Sequence, residues 1–283
     1  IVAIIGIESK FGLKTGSFKT FDTLASLSLG PNKGRRAKFY KTELINFLLM
    51  CSENNFNPSH VKGSYAGALG KPQFISSSYR HYAIDFNDDK ITDLWDSNAD
   101  VIGSVANYLH KNGWLQNEAI LTDTVFPESA KSIVFNQSKK TYKPITPYHV
   151  FKEKDIKSTS LLSDNELVSI IRFKDNQSEV FKFGHKNFYV ITRYNRSRLY
   201  ALAVYFLAEK IKREEGVNAL TDDDSTSSDV DPLAIKVAES TIFNQLSDEL
   251  RKTLRYYMKS SNQAFFNKFY IIHLYVRYSN INP

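Results

Sequence analysis

The chain opens on a nearly continuous apolar run, Ile1 to Ile7, which ends at Glu8, Ser9 and Lys10 beside an aromatic ring, Phe11. Apolar residues then recur at helical spacing. Asp22 stands where it can cap a helix through TLASLSL, and Gly30, Pro31 and Gly34 break it. Leu44, Phe47, Leu48 and Cys51 repeat with a helical period, which predicts a helix over 42–53. Val101, Val105, Tyr108 and Leu109 share one face of a further helix, with Ser97 placed to cap it and Gly113 suited to its left-handed end. From about 119 to 190 the period changes. The runs AILTDTVF, KSIVF, LVSIIRF and EVFKF alternate or are β-branched, and Asn, Asp, Pro and Ser separate them, so they predict short strands of a small sheet. Helical spacing returns from Arg198 to Lys212 through Leu199, Leu202, Ala203, Phe206 and Ile211.

The pattern predicts a mainly α fold with a small β-rich insertion: a helical domain over 1–118, the insertion over 119–190, and a returning segment over 191–216. Residues 217–283 stand apart. They hold an acidic, Ser-rich linker (TDDDSTSSDVD), an amphipathic helix expected over 233–259, and an aromatic end interrupted by Asn267, Lys268, His273 and Arg277. No run reaches eighteen apolar residues, so no transmembrane helix is predicted. The chain starts at Ile1, inside a core-like run, and is expected to be truncated there.

Composition narrows the function classes. With 42% hydrophobic and 24% charged residues, the 283-residue chain can bury a sizeable core in one large domain or two smaller ones. A net charge of +7 favours a polyanionic partner: nucleic acid, an anionic membrane or a carboxylate-rich cell wall. The densest basic stretch, Lys33 to Lys41, reads as the solvated start of a helix, and no nucleic-acid-binding motif accompanies it, so nucleic acid is disfavoured. The single cysteine, Cys51, lies in an apolar segment and reads as a buried, inert thiol.

Several residue groups carry candidate chemistry. A carboxyl such as Glu8 held against apolar walls has its charged form disfavoured. It can then give a proton to a leaving oxygen and later take one back, as glycosidic cleavage requires. A solvated helix residue is the alternative reading. The loop from Gly63 to Gly70 is rich in small residues that let a sugar approach the backbone. It is no phosphate loop, because Gly70-Lys71 runs into Pro72. Tyrosines offer a flat face and a hydroxyl to a sugar, or else half-buried core aromatics. Asp85, Asn87 and Asp89, with the carbonyl of Ile91, repeat the oxygen spacing that opens an EF-hand loop. An acidic surface turn is the alternative. Lys90 stands where glycine is usual, and no Glu stands at position twelve.

The Glu8 segment, GSYAGALGKPQF, DFNDDKITDLWD, IGSVANYLHKNGW and FYVITRYNRSRLYALAV, in this order and spacing, resemble the membrane-bound lytic murein transglycosylase B family. These are lysozyme-like enzymes that cut bacterial peptidoglycan. The resemblance runs from Ile1 to about Lys212 and implies a lysozyme-like helical domain with a β-rich insertion. It implies Glu8 as the catalytic acid/base, and Ser64, Gln73, Tyr108, Tyr194, Asn195 and Tyr200 as substrate-binding residues. At most one weak structural calcium is implied, on Asp85, Asn87, Asp89, the Ile91 carbonyl and Asp100, with Asp96 a competing ligand, and the chemistry requires no cofactor. One departure is Lys71-Pro72, where the family usually carries smaller residues. The expected partner is the peptidoglycan glycan strand, and the expected place is the periplasm or cell envelope of a bacterium. Family members carry an export signal, often with a lipid-attachment cysteine, ahead of this point, which implies membrane attachment of a monomer. A muramidase-type hydrolase using Glu8 and a non-catalytic wall-binding protein are the alternatives.

Overall fold

The computed structural model describes residues 1–30, 34–175 and 178–218, and the side chains of 214–218 are not described. The linker, helix and aromatic end expected over 219–283 lie outside the described residues. The described residues form two compact units, Ile1–Asn112 and a second that opens at Gly113. Among the described residues no helix is long and apolar enough to cross a membrane.

The first unit is helical. It contains α1 (Val2–Ser9), β1 (Phe18–Lys19), α2 (Thr20–Leu29), α3 (Arg35–Glu53), β2 (Lys62–Gly63), α4 (Ser76–Tyr82) and α5 (Asn98–Lys111). Its core gathers Ile4, Leu24, Phe47, Met50, Leu69, Leu94 and Val105, all nearly inaccessible to solvent. The predicted helix at 98–111 is present with its predicted ends. Ser97 Oγ accepts the Asp100 N–H, His110 and Lys111 lie in the last turn, and Gly113 takes a left-handed φ of +86°.

Three helix details differ from the sequence pattern. Lys19, not Asp22, occupies the N-cap position of α2, and Asp22 lies in the first turn, where its charge still complements the helix dipole. Helix α3 starts at Arg35, seven residues before the apolar period begins at 42, so the basic stretch read as a solvated helix start belongs to the same helix. Its buried stripe is Tyr40, Glu43, Phe47, Met50 and Cys51, while Leu48 is exposed. Cys51 is a buried thiol as expected, and burial pushes its pKa up to about 11, which keeps it protonated and unreactive near neutral pH. Glu43 is a carboxylate inside an apolar stripe. It accepts Ser77 N–H at 2.9 Å and Ser77 Oγ–H at 2.7 Å, so it closes the N-terminus of α4 from within the core.

The second unit is built on a five-stranded antiparallel sheet of order β4-β6-β7-β3-β5. In chain order it holds β3 (Leu121–Val125), α6 (Lys131–Lys140), β4 (Thr146–Pro147), α7 (His149–Lys152), β5 (Lys157–Ser158), β6 (Leu167–Asp175), β7 (Ser178–Gly184), α8 (Lys186–Tyr194) and α9 (Arg198–Asn218). The segments at 119–126, 167–173 and 179–183 supply strands as predicted. KSIVF does not: it begins α6. A five-residue apolar run fits either state, and here Ala130, Val134 and Ser138 at i, i+4 and i+8 are the buried positions. One face of the sheet packs Val168, Ile170, Phe181 and Phe183 against Ala130, Val134, Tyr148, Phe151 and Ile156. On the other face Phe173 meets Phe206 of α9, ring centroids 5.4 Å apart. Both faces are covered, which explains the nearly continuous apolar run in β6. His185 ties three elements together. Its Nδ1 lies 2.7 Å from Glu166 Oε1, its Nε2 lies 3.0 Å from Thr122 Oγ1, and its backbone precedes α8.

Candidate active site

Glu8 lies half-buried in the last turn of α1, whose Ala3, Ile4, Ile5 and Ser9 are buried. The helix stops at once. Lys10, Phe11 and Gly12 take left-handed φ values of 51°, 56° and 94° in succession. Two of these are non-glycine residues, a costly arrangement that persists only where surrounding contacts over-determine it. Those contacts are visible. Lys10 N–H donates to Gly6 O and Phe11 N–H to Ile5 O, which closes the helix end. Ser9 Oγ–H donates to Ile5 O, Gly12 N–H donates to Ser9 Oγ, and Lys14 N–H donates to Ser9 O. The turn also folds the Phe11 ring back onto the helix: a Cβ added at Gly6 would lie 2.6 Å from Phe11 Cζ. Ser9 is therefore the hub of the turn beside Glu8. Sequence reasoning missed it, and a Glu-Ser pair at a helix end is the signal that could have found it.

The turn continues into a loop laid against the small-residue segment. Gly16 has φ +98°, and a Cβ there would meet the Gly63 carbonyl carbon and oxygen at 2.1 Å and Ser64 N at 2.4 Å. The short β1–β2 pairing, Phe18 opposite Gly63, extends this approach. Ser64 is buried, and its Oγ accepts Ala66 N–H at 3.3 Å and Ala68 N–H at 3.0 Å. It nucleates its own loop, and its hydroxyl hydrogen remains available to donate. Gln73 Nε2 donates to Thr15 O at 3.0 Å and to Gly70 O at 2.8 Å, so this side chain stitches the segment after Glu8 to the 63–74 loop. The expected purely substrate-facing role of Gln73 is thereby extended: its amide also holds the loops together. Tyr108 follows in an aromatic group, 5.8 Å from Phe74 and 4.5 Å from Tyr82 between ring centroids, and is largely buried.

Tyr194, Asn195 and Tyr200 belong to the second unit, at the corner between α8 and α9. The Tyr194 and Tyr200 rings stack, 6.3 Å apart and 10° from parallel. Asn195 is buried and extended, and Ser197 N–H donates to its carbonyl. The late motif is thus one local structure, as its sequence order suggested.

The acidic turn at 85–100 adopts a loop with Lys90 left-handed at φ 73°, as its sixth position requires. Its oxygens, however, are turned to the backbone. Asp85 accepts Asp89 N–H and Lys90 N–H, Asp89 accepts Ile91 N–H and the Asn87 amide, and Lys90 pairs with Asp88. Asp100, fully buried, accepts Phe86 N–H at 2.8 Å and Asp93 N–H at 2.9 Å, which clamps the two ends of the turn together. Tyr79 supports the same turn through its hydroxyl on Thr92 O, and burial with Asp93 and Asp100 nearby pushes its pKa upward. Among the described residues no group of three His, Cys, Asp or Glu could hold a metal ion. The expected set of Asp85, Asn87, Asp89, Ile91 and Asp100 is thus already engaged in hydrogen bonds of the turn: the three aspartates accept backbone N–H groups, and Asn87 and Ile91 donate to Asp89.

Similar proteins share this architecture. The membrane-bound lytic murein transglycosylase B of Escherichia coli (strain K12) is 36% identical over 215 residues, which cover 75% of this chain and 56% of that protein. The chain thus spans little more than half the length of that relative. The solved structure of the soluble lytic transglycosylase SltB1 from Pseudomonas aeruginosa matches with a TM-score of 0.69 and 37% identity, over 76% of this chain and 69% of that one. The Escherichia coli lytic transglycosylase Slt35, solved in complex with calcium, matches with a TM-score of 0.65 and 33% identity, over 75% and 65% of the two chains. The mainly helical fold with its β subdomain is that of these lysozyme-like lytic transglycosylases. The family model described as the transglycosylase SLT domain matches residues 1–209, and the chain belongs to that family.

Proposed function

We propose that this chain is a peptidoglycan lytic transglycosylase with Glu8 as its one acid/base. The observation that supports this best is the turn after the half-buried Glu8, where Ser9, Gly16 and Gln73 hold the segment that follows it against a loop of small residues. In the reaction, Glu8 gives its proton to the glycosidic oxygen between N-acetylmuramic acid and N-acetylglucosamine, and that C–O bond breaks. The resulting carboxylate takes the proton of the muramoyl C6 hydroxyl, whose oxygen bonds to the anomeric carbon of the same sugar. The product is a 1,6-anhydro ring, and no water is consumed. One carboxylate suffices because the nucleophile is intramolecular and acts at high effective molarity. Ser64, Gln73 and Tyr108 of the first unit are proposed to bind the strand, and the late motif's Tyr194, Asn195 and Tyr200 are substrate-binding residues proposed from the family resemblance.

Mass spectrometry of fragments released from purified peptidoglycan tests the reading. Anhydro-ended products are expected. Products heavier by one water would instead make Glu8 the acid of a hydrolase, and wall binding without release would make the chain a binding protein. The substrate places the protein in the bacterial envelope. Attachment to the membrane by a lipidated segment ahead of Ile1, and action as a monomer, belong to the same proposal.

Calcium stands outside this chemistry, since both proton transfers run through a carboxyl group. A calcium ion at the acidic turn would share Asp85 and Asp89 with the backbone N–H groups they accept and would sit near the Lys90 cation, so only weak binding is proposed. Lys90→Gly removes a left-handed non-glycine residue and a cation, and is expected to tighten it. Calorimetry with added calcium should give a larger thermal shift for Lys90→Gly than for the parent, and a chelator should leave turnover of the folded protein unchanged. Equal, absent shifts in both proteins would make the turn a solvated loop, and loss of turnover with the fold intact would give the ion a role in the chemistry.

A further inference from the structure

Lys71 is held in an unusual way. Its aliphatic stem lies along Gly12, where an added Cβ would come within 2.8 Å of Lys71 Cε and 3.0 Å of Cδ. Its backbone N–H donates to Leu94 O, and its ammonium donates to the amide oxygen of Asn98 at 2.7 Å. The cation is therefore drawn across the turn that follows Glu8 and parked on a neutral acceptor. Arg80 and Lys90 of this unit have carboxylate partners, Glu53 and Asp88, while Lys111 donates to the His81 carbonyl. Lys71 makes no ion pair among the described residues. Two acids lie two residues from its acceptor: Asp100 is fully buried and spends both oxygens on backbone N–H groups, and Asp96 is exposed and forms no ion pair with Lys71. A half-exposed ammonium, ordered by its stem yet lacking an anion, is suited to receive one from outside.

We propose that Lys71 determines specificity by binding a carboxylate of the peptide stem carried on the muramic acid unit, so that peptide-bearing strands are preferred over bare glycan. This rests on the transglycosylase reading above. The neutral Asn98 oxygen makes the exchange cheap, because the ammonium leaves no buried charge unpaired when it turns to the stem. An exposed ion pair of this kind contributes about three- to fivefold in binding, less at high salt.

The test uses Lys71→Met, which keeps a stem over Gly12, and Lys71→Arg, which keeps the charge. The readout is the ratio of kcat/KM on peptide-bearing strands to kcat/KM on the same strands stripped of peptide by an amidase. Lys71→Met should lower this ratio about three- to fivefold at low salt, and Lys71→Arg should largely retain it. A ratio unchanged in Lys71→Met overturns the proposal, and equal losses on both substrates reduce Lys71 to a positioning residue for the turn. The same ratio read as binding, by sedimentation of a Glu8→Gln background with each polymer, separates the two readings. If no anhydro product forms from either substrate, the transglycosylase reading fails while the binding ratio still decides the role of Lys71.

Discussion

Glu8→Gln should lower the rate of bond cleavage by at least about 100-fold, the usual contribution of a positioned general acid/base. An amide has nearly the shape of the carboxyl group but cannot cycle a proton, so both the departure of the sugar oxygen and the activation of the C6 hydroxyl lose their partner. The fold should persist, since Glu8 is only half-buried and the turn around it is held by Ser9, Gly12 and the helix carbonyls rather than by the carboxyl alone. Initial rates of fragment release, with thermal unfolding as the control, check this. A variant that keeps more than about a tenth of the parent rate would remove Glu8 from the chemistry.

Gly16→Ala should be among the most damaging single-methyl changes in the first unit, costing about 3 kcal/mol or more. The backbone at this position lies in a region that L side chains rarely adopt, and the new Cβ would sit 2.1 Å from the Gly63 carbonyl group. Backbone atoms on both sides leave no rotamer to yield, so the segment after Glu8 must lift away from Ser64. Activity should fall with stability. Gly34→Ala is the control: its φ of +63° with ψ −135° is also a glycine backbone, but nothing lies within 4 Å of the added Cβ, so a backbone penalty of about 1–3 kcal/mol remains without the clash. Denaturant unfolding of both variants tests the argument, and equal losses would show that the close approach of the two loops carries no energy.

The sequence made some of this legible and hid the rest for physical reasons. Ser97 and Gly113 marked both ends of α5 because capping is local: each signal lies within a few residues of what it terminates. The basic start of α3 was legible as a solvated helix start but not as one helix with 42–53, because Arg35, Arg36 and Lys38 face solvent or its edge and carry no apolar period. KSIVF was misread because a five-residue apolar run does not declare its period, and only contacts with β6 and β7 decide it. In the site, residue types were informative but their partners were not. Gln73 reaches Thr15 across 58 residues, and Glu43 reaches Ser77 across 34. No local pattern announces such bonds. Asp100 was expected as a ligand only through the family resemblance, and no local pattern announces that its oxygens accept the N–H groups of Phe86 and Asp93.

The order of strands in the second unit bears on how the protein behaves at high concentration. The long apolar strands β6 and β7 sit inside the sheet, and its two borders are two-residue strands, Thr146–Pro147 and Lys157–Ser158. A proline offers no N–H to an incoming strand, and a lysine would have to be desolvated beside one. β4 covers Leu167 and Val168 of β6, so at that border a neighbouring strand meets a proline instead of a free ladder. The shortest elements thus act as blunt borders that disfavour, at the residues they cover, pairing with another copy of the chain.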